Sequence, residues 1–246
     1  LPPEILAVAA LITAGTYLVF GLTGFGSTVL ALPLLVHLIA LKFAVPMLLL
    51  LDFAAGILLI SRSRRGVRLD ELGWLFPFML AGIALGLTLL IRLPEAPLLA
   101  VLGLFLFVYA IYGTTRRAGP PRLSRAWCAP IGLAAGILGS LFGTGGVLSA
   151  LYIGARLEDK EELRATAAAA VLLNTSIRVV LFGVAGLLTQ DGLLPSAALL
   201  LPSVLIGLFL GNRLHAAVPA ALVVRAVYVV VAVAGISLLV RVSALY

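Results

Sequence analysis

Gly21-Leu22-Thr23-Gly24-Phe25-Gly26-Ser27-Thr28 breaks a long apolar run with three glycines and three hydroxyl side chains. Gly139-Ser140-Leu141-Phe142-Gly143-Thr144-Gly145-Gly146 repeats the pattern 119 residues later, counted from Gly24 to Gly143 or from Gly26 to Gly145. Glycine is the poorest ordinary helix former and reaches backbone conformations closed to other residues. In lipid, a freed backbone group must find its partner inside the protein or in a water-filled cavity. Paired breaks in corresponding positions of two halves point to a binding site in a membrane carrier. The expectation is that the two breaks face one another and hold a ligand between them.

The rest of the chain sets that expectation in a membrane. Of 246 residues, 63% are hydrophobic and 11% charged, and the mean hydropathy is +1.22. Soluble domains carry about 25% charge, so a soluble domain is excluded and the lipid bilayer is the surrounding medium. The net charge of +7 lies in short clusters between apolar segments, not in a basic stripe interleaved with aromatics, so no nucleic-acid partner is expected. The one cysteine, Cys128, excludes an internal disulfide and any multi-cysteine metal site, and reads as a small buried hydrophobe. The chain begins at Leu1 without a methionine, as expected if a few residues have been trimmed, and no signal-peptide pattern is visible.

Taken in order, Ile5–Ala40 reads as a helical hairpin whose arms, Ile5–Phe20 and Val29–Ala40, meet at the first break. The second arm is too short to cross ~30 Å of hydrocarbon. Spans follow over Phe43–Ile60, Trp74–Ile91 and Pro97–Tyr112, with basic loops at Ser61–Arg68 and Thr114–Arg125. Trp127–Leu138 and Val147–Ala155 flank the second break, and Ala165–Leu188, Leu193–Gly211 and Leu222–Val240 complete the set. Pro77, Gly82, Gly86 and Pro94 recur as Pro202, Gly207, Gly211 and Pro219 at one offset of 125, while Lys42 and Asp52 match Arg164 and Asn174. The expected organisation is all-α: a first repeat over residues 1–113, a cytoplasmic basic linker over 114–126 and a second repeat over 127–246. Each half then holds a Gly-broken hairpin plus three spans.

Three plain spans per half make the second half inverted relative to the first. With the loop Ser61–Arg68 inside, twelve Lys/Arg fall inside and only Lys42, Arg92 and Arg241 outside. That bias follows the positive-inside rule and places both termini outside. Inverted repeats are a hallmark of secondary transporters.

In each break a new helix begins, near Ser27–Val29 and near Gly146–Val147. Helix N-termini carry unsatisfied N–H groups and partial positive charge, which suit an anion. The candidate binding residues are Gly24, Gly26, Ser27, Thr28, Gly143, Thr144, Gly145 and Gly146, with Thr23 and Ser149 as further hydroxyl donors. Glycines also let helices pack closely, and that is the reading for Gly82/Gly86 and Gly207/Gly211. Among residues inside spans, Arg178 lies one turn beyond Asn174 on the same face. They would serve an anion as counter-charge and hydrogen-bond donor. Asp52 is then a partner holding Arg178 in place, a proton-coupling carboxyl, or half of a purely structural pair. Thr175 and Ser176 read as back-bonded to their own helix. Arg225 reads as snorkelling, and His37 and His215 as interfacial. No HExxH, GxSxG elbow or P-loop lysine is present, so no catalytic residues, metal site or cofactor is expected. An anion channel and a non-transporting accessory subunit stay open as alternatives.

These residues resemble those of the TauE/SafE sulfite exporter family, also called the toluene-sulfonate uptake permease family. The likeness rests on GLTGFGSTVLALPLL (Gly21 to Leu35), its echo GSLFGTGGVLSALY (Gly139 to Tyr152) and ELRATAAAAVLLNTSIR (Glu162 to Arg178). It implies a secondary transporter of a small sulfur-containing anion such as sulfite, thiosulfate, sulfoacetate or another organosulfonate, in a bacterial-type inner membrane. Tyr152 stands where the first break has Pro33, so the two cradles are not identical. Substrate identity, direction, coupling ion and homo-oligomer formation are not fixed by these residues.

Overall fold

The computed structural model describes residues 1–23, 26–60, 66–115, 123–214 and 220–243. All described regular structure is helical. The helices are α1 (Pro3–Thr23), α2 (Ser27–Leu35), α3 (Leu41–Ile60), α4 (Leu69–Arg92), α5 (Glu95–Thr115), α6 (Cys128–Phe142), α7 (Gly145–Arg156), α8 (Lys160–Val184), α9 (Leu193–Leu214) and α10 (Ala220–Ser243). A 3₁₀ turn at Arg125–Trp127 leads into α6. Among the described residues, eight helices are long and apolar enough to cross a bilayer. The exceptions are α2, with 9 residues, and α7, with 12. At 1.5 Å per residue these reach roughly 14 and 18 Å, short of the ~30 Å core.

Local chemistry marks several helix ends. Asp159 caps α8 by accepting from the Glu161 and Glu162 amides at 2.9 and 2.8 Å. Asp70 and Glu71 sit in the first turn of α4 and Arg92 in its last, in the sense that the helix dipole favours. Glu95 Oε1 accepts from the Leu41 amide at 2.8 Å, Lys42 Nζ donates to Ile91 O at 3.0 Å, and Arg241 Nη1 donates to Val36 O at 2.6 Å. These contacts satisfy orphan backbone groups, tying α3 to α4 and α5 and tying α10 to the end of α2.

The broken helices form the centre. Every residue of α2 except Leu34 is buried, as expected of a helix that is apolar all round. Large exposed apolar side chains such as Leu11, Leu104, Phe209 and Val233 ring the outside, where lipid would lie.

Contacts repeat between the halves. The closest pairings are α4 on α6 and α1 on α9. Renumbering α1–α5 as α6–α10 and vice versa turns one pairing into the other, exchanges α3–α9 with α4–α8, and leaves α5–α10 and α3–α8 in place. The correspondence reaches single residues. A Cβ on Gly86 would stand 2.7 Å from Ile137 O and 2.9 Å from Ser140 Cβ. On Gly211 it would meet Leu18 O and stand 2.9 Å from Gly21 Cα. Leu18 and Ile137, like Gly21 and Ser140, are 119 residues apart. The helix-packing role expected of Gly82/Gly86 and Gly207/Gly211 is what these contacts display. One exception is α2, which also packs on α10 with no matching α7–α5 pairing of similar extent.

The breaks are narrower than the sequence suggests. Gly21 remains inside α1, and Gly139 and Ser140 inside α6. Close packing, not unwinding, requires a small residue at Gly21. The left-handed residues are Gly26, with φ 94° immediately before α2, and Gly143, with φ 71° immediately after α6. Gly24 lies outside the described residues, as do His215, Pro219 and most of the two basic loops.

Candidate functional site

The first half gathers a hydroxyl cage around a carboxylate. Asp52, near the middle of α3, accepts from Tyr17 Oη of α1 at 2.7 Å and from Ser27 Oγ of α2 at 2.8 Å, both on Oδ1. Thr28 Oγ1 donates to its Oδ2. Thus Ser27 and Thr28, expected to face a ligand, turn their hydroxyls to the chain's own anion at the start of α2. No side chain caps α2, whose N-cap position is Gly26. The Asp52 carboxylate lies against that N-terminal turn, where the helix dipole favours negative charge.

The second half carries an amide at the matching place and leaves donors over. Asn174 is 3% exposed and packs against Gly139 in α6, where an added Cβ would lie 3.1 Å from its Oδ1. Among the described residues, Asn174 Nδ2 has no hydrogen-bond partner. Arg178, also 3% exposed, has an unpartnered Nε and lies with Cζ 5.6 Å from the Phe182 ring centroid. No ion pair within 4.0 Å joins it to Asp52 among the described residues. Ser149 Oγ on α7 is likewise buried and unpartnered. Thr144 does not cap α7 with its side chain. Its hydroxyl donates back to Leu138 O at 3.3 Å.

Each of these three unpartnered groups can donate a hydrogen bond, and one is a cation. A buried unpaired charge costs several kcal/mol and a buried unsatisfied donor ~1–3 kcal/mol. Such donors can be satisfied by any acceptor that reaches them, an anion or a water.

The breaks touch one another. A Cβ on Gly143 would stand 2.9 Å from Thr28 Cβ, so the turn after α6 rests on the first residues of α2. Gly145 lies against Gly139, and Gly146 against Val171 one turn before Asn174. The structure therefore brings Thr28, Gly143, Gly145 and Asn174 into one chain of contacts. Gly26 faces open space, with nothing within 4 Å of an added Cβ. Thr175 and Ser176 donate to Val171 O and Leu172 O of their own helix, as expected. His37 bonds Pro33 O and Ser237 Oγ beside an open apolar groove between α1, α2 and α10, away from these polar groups.

Two features escape the sequence reading. Tyr17 gives no signal in an apolar helix, and its role depends on a contact spanning 35 residues. The other is an ion network around Glu71, which is 3% exposed. Glu71 Oε1 pairs with Arg156 Nη2 at 2.8 Å and Arg125 Nη2 at 3.2 Å, and its Oε2 accepts from Tyr152 Oη at 3.1 Å. Arg68 pairs with Asp70 at 3.1 Å and Glu162 at 3.3 Å. Hydrogen bonding to Glu71 holds the Arg156 guanidinium above its ordinary pKa, and bonding to Asp70 does the same for Arg68. The sequence signal was the Asp70-Glu71 pair, two acids directly after the basic loop Ser61–Arg68.

Comparison with known proteins agrees with this architecture. The sulfite exporter TauE/SafE family model matches residues 7–238. The chain is similar to the "Probable inner membrane transporter protein TsaS" of Comamonas testosteroni, with 30% identity over 195 residues, which are 78% of this chain and 81% of that one. No solved structure matches. The chain belongs to the TauE/SafE family: it is a multi-pass membrane transporter, not an enzyme.

Proposed function

We propose that this protein is a secondary transporter of a small sulfur-containing anion, such as sulfite, thiosulfate, sulfoacetate or another organosulfonate, in a bacterial-type inner membrane. The anion binds near the bilayer midplane, against the N-terminal turn of α7 at Gly143, Thr144, Gly145 and Gly146. Asn174 donates to it and Arg178 supplies the counter-charge. The observation that carries this reading is the stranded pair of donors, Asn174 Nδ2 and Arg178 Nε, buried and without an acceptor among the described residues. The sulfite in the family's description supports the substrate class, and the relative, an inner membrane transporter by name, supports transport across that membrane.

Alternating access fits the exchange of contacts between halves, with residues 1–113 and 127–246 as inverted repeats, the 114–126 linker inside and both termini outside. Asp52 is assigned to coupling. Asp52 and Arg178 together are neutral, and an arriving monoanion leaves one uncompensated negative charge in a low-dielectric site. A proton on Asp52 restores neutrality. Thr28, which bonds Asp52 and touches Gly143, links the two halves of the site.

A thermal-shift screen of the purified protein tests the site. The panel is sulfite, thiosulfate, sulfoacetate, taurine, sulfate and chloride. A ligand at a hundred times its Kd stabilises the folded form by ~2.7 kcal/mol. Selective stabilisation by a sulfur anion, abolished in Arg178→Met, is the expected result. No response to any anion would remove the reading.

A further inference from the structure

Gly145, Ser149, Tyr152 and Arg156 are spaced four, three and four residues apart, so they line one face of α7. At one end of that face, Gly145 packs against Gly139, which itself touches Asn174. At the other, Tyr152 and Arg156 grip Glu71. Between them Ser149 is fully buried with an unpartnered hydroxyl. Accessibility falls inward along this line: the Arg125 side chain is 45% exposed, Arg156 25%, and Tyr152 and Ser149 not at all. Arg156 is held from the linker side as well, through Nη1 to Leu123 O at 3.2 Å.

Two arginines converging on one carboxylate, with a tyrosine hydroxyl as third donor, form a donor set suited to any small oxyanion. We propose that the cytoplasm-side half of the path runs along this face of α7, and that Arg125, Arg156 and Tyr152 form a second station for a small oxyanion. Glu71 fills that station with its own carboxylate in this closed form. Ser149 is the hydroxyl an anion passes between the station and the midplane site. The inference rests on the midplane site and orientation proposed above, and it adds a second binding station and its plug.

The chain supplies its own reporter. Cys128, its one cysteine, is buried in the apolar cluster that contains Leu72, Tyr152 and Ile153. The experiment compares labelling of Cys128 by a sulfonatoethyl and a trimethylammonioethyl methanethiosulfonate, on the full chain in uncharged detergent. Wild type should react slowly with both. Glu71→Gln should react at least about tenfold faster with the anionic reagent than with the cationic one, because the vacated arginines focus negative charge. Methanesulfonate should slow that reaction, and adding Arg156→Gln should erase the preference. Equal rates for the two reagents in Glu71→Gln would overturn the proposal. So would protection by an anionic phospholipid and not by methanesulfonate, which would assign the arginines to lipid headgroups.

If Glu71→Gln does not fold, Ser149→Cys in a Cys128→Ser background replaces it. Protection of that thiol by methanesulfonate supports the path, and an unprotected or unreactive thiol refutes it. Arg178→Met separates the two readings. Anion-selective labelling retained in Glu71→Gln/Arg178→Met, with the thermal shift lost, assigns the two stations independently. Retained labelling with no thermal shift in any variant would sink the midplane site and leave the α7 station standing.

Discussion

Arg178→Met should abolish anion binding without costing stability, and the two signs together distinguish a binding residue from a structural one. Burying the guanidinium costs several kcal/mol. What offsets this in the empty protein is limited. Asp52 lies beyond 4.0 Å, so its attraction is below about 4 kcal/mol at an effective dielectric constant of 20. The Phe182 face adds ~0.5–2 kcal/mol. Removing Arg178 leaves Asp52 with its three hydroxyl donors intact. A methionine of similar length should therefore leave the ligand-free protein as stable as wild type, or more stable by about 1–4 kcal/mol, as for other buried charges replaced by apolar groups. Binding is another matter. Losing one or two charge-assisted hydrogen bonds at ~1.5–3 kcal/mol each lowers affinity roughly 10- to 20,000-fold. The assay is thermal unfolding of both proteins in uncharged detergent, with and without the best anion. A loss of about 3–5 kcal/mol in the ligand-free variant would show that Arg178 is half of a structural pair and refute the reasoning. So would an undiminished ligand response.

Three further outcomes follow from the geometry. Gly211→Ala should destabilise by ~1–3 kcal/mol, because its Cβ enters the backbone of α1, while Gly15→Ala, with nothing within 4 Å, should be neutral or stabilising by up to about 1 kcal/mol; denaturation midpoints decide. Gly143→Ala meets a left-handed backbone, costing ~1–2 kcal/mol, as well as the Thr28 side chain, so transport should fall and Gly143→Ala/Thr28→Ser should regain part of the lost stability; no recovery would mean that the two breaks do not bear on one another. Binding of methanesulfonate, whose charge does not change with pH, should tighten as pH falls in wild type and lose that dependence in Asp52→Asn; a slope that survives the substitution would remove Asp52 from coupling.

The membrane class, the short helix after each break and, Tyr17 apart, the polar residues buried near the breaks were legible in the sequence because each breaks a local rule: glycine and hydroxyl in an apolar run, or a charge in lipid. What those residues touch was not. Asp52 draws hydroxyls from positions 35, 25 and 24 residues away, and local pattern does not tell such partners from an arginine across the bundle. Glu71 sat in an ordinary acidic first turn, and its meaning depends on Arg156, 85 residues on. Gly21 looked like part of the break because a glycine needed for close packing has the same letter as one needed for a turn. Gly82, Gly86, Gly207 and Gly211, by contrast, were legible as packing positions, because each sits where two backbones meet.

The central claim is that a small sulfur anion is carried past Arg178 by a site that opens alternately to each side. Counterflow in proteoliposomes tests it most directly. Vesicles preloaded with unlabelled sulfite or sulfonate should take up the radiolabelled anion faster than empty ones, with a transient overshoot, and Arg178→Met should abolish the effect. Uptake that ignores preloading and rises without saturation, or that persists in Arg178→Met, would contradict the account.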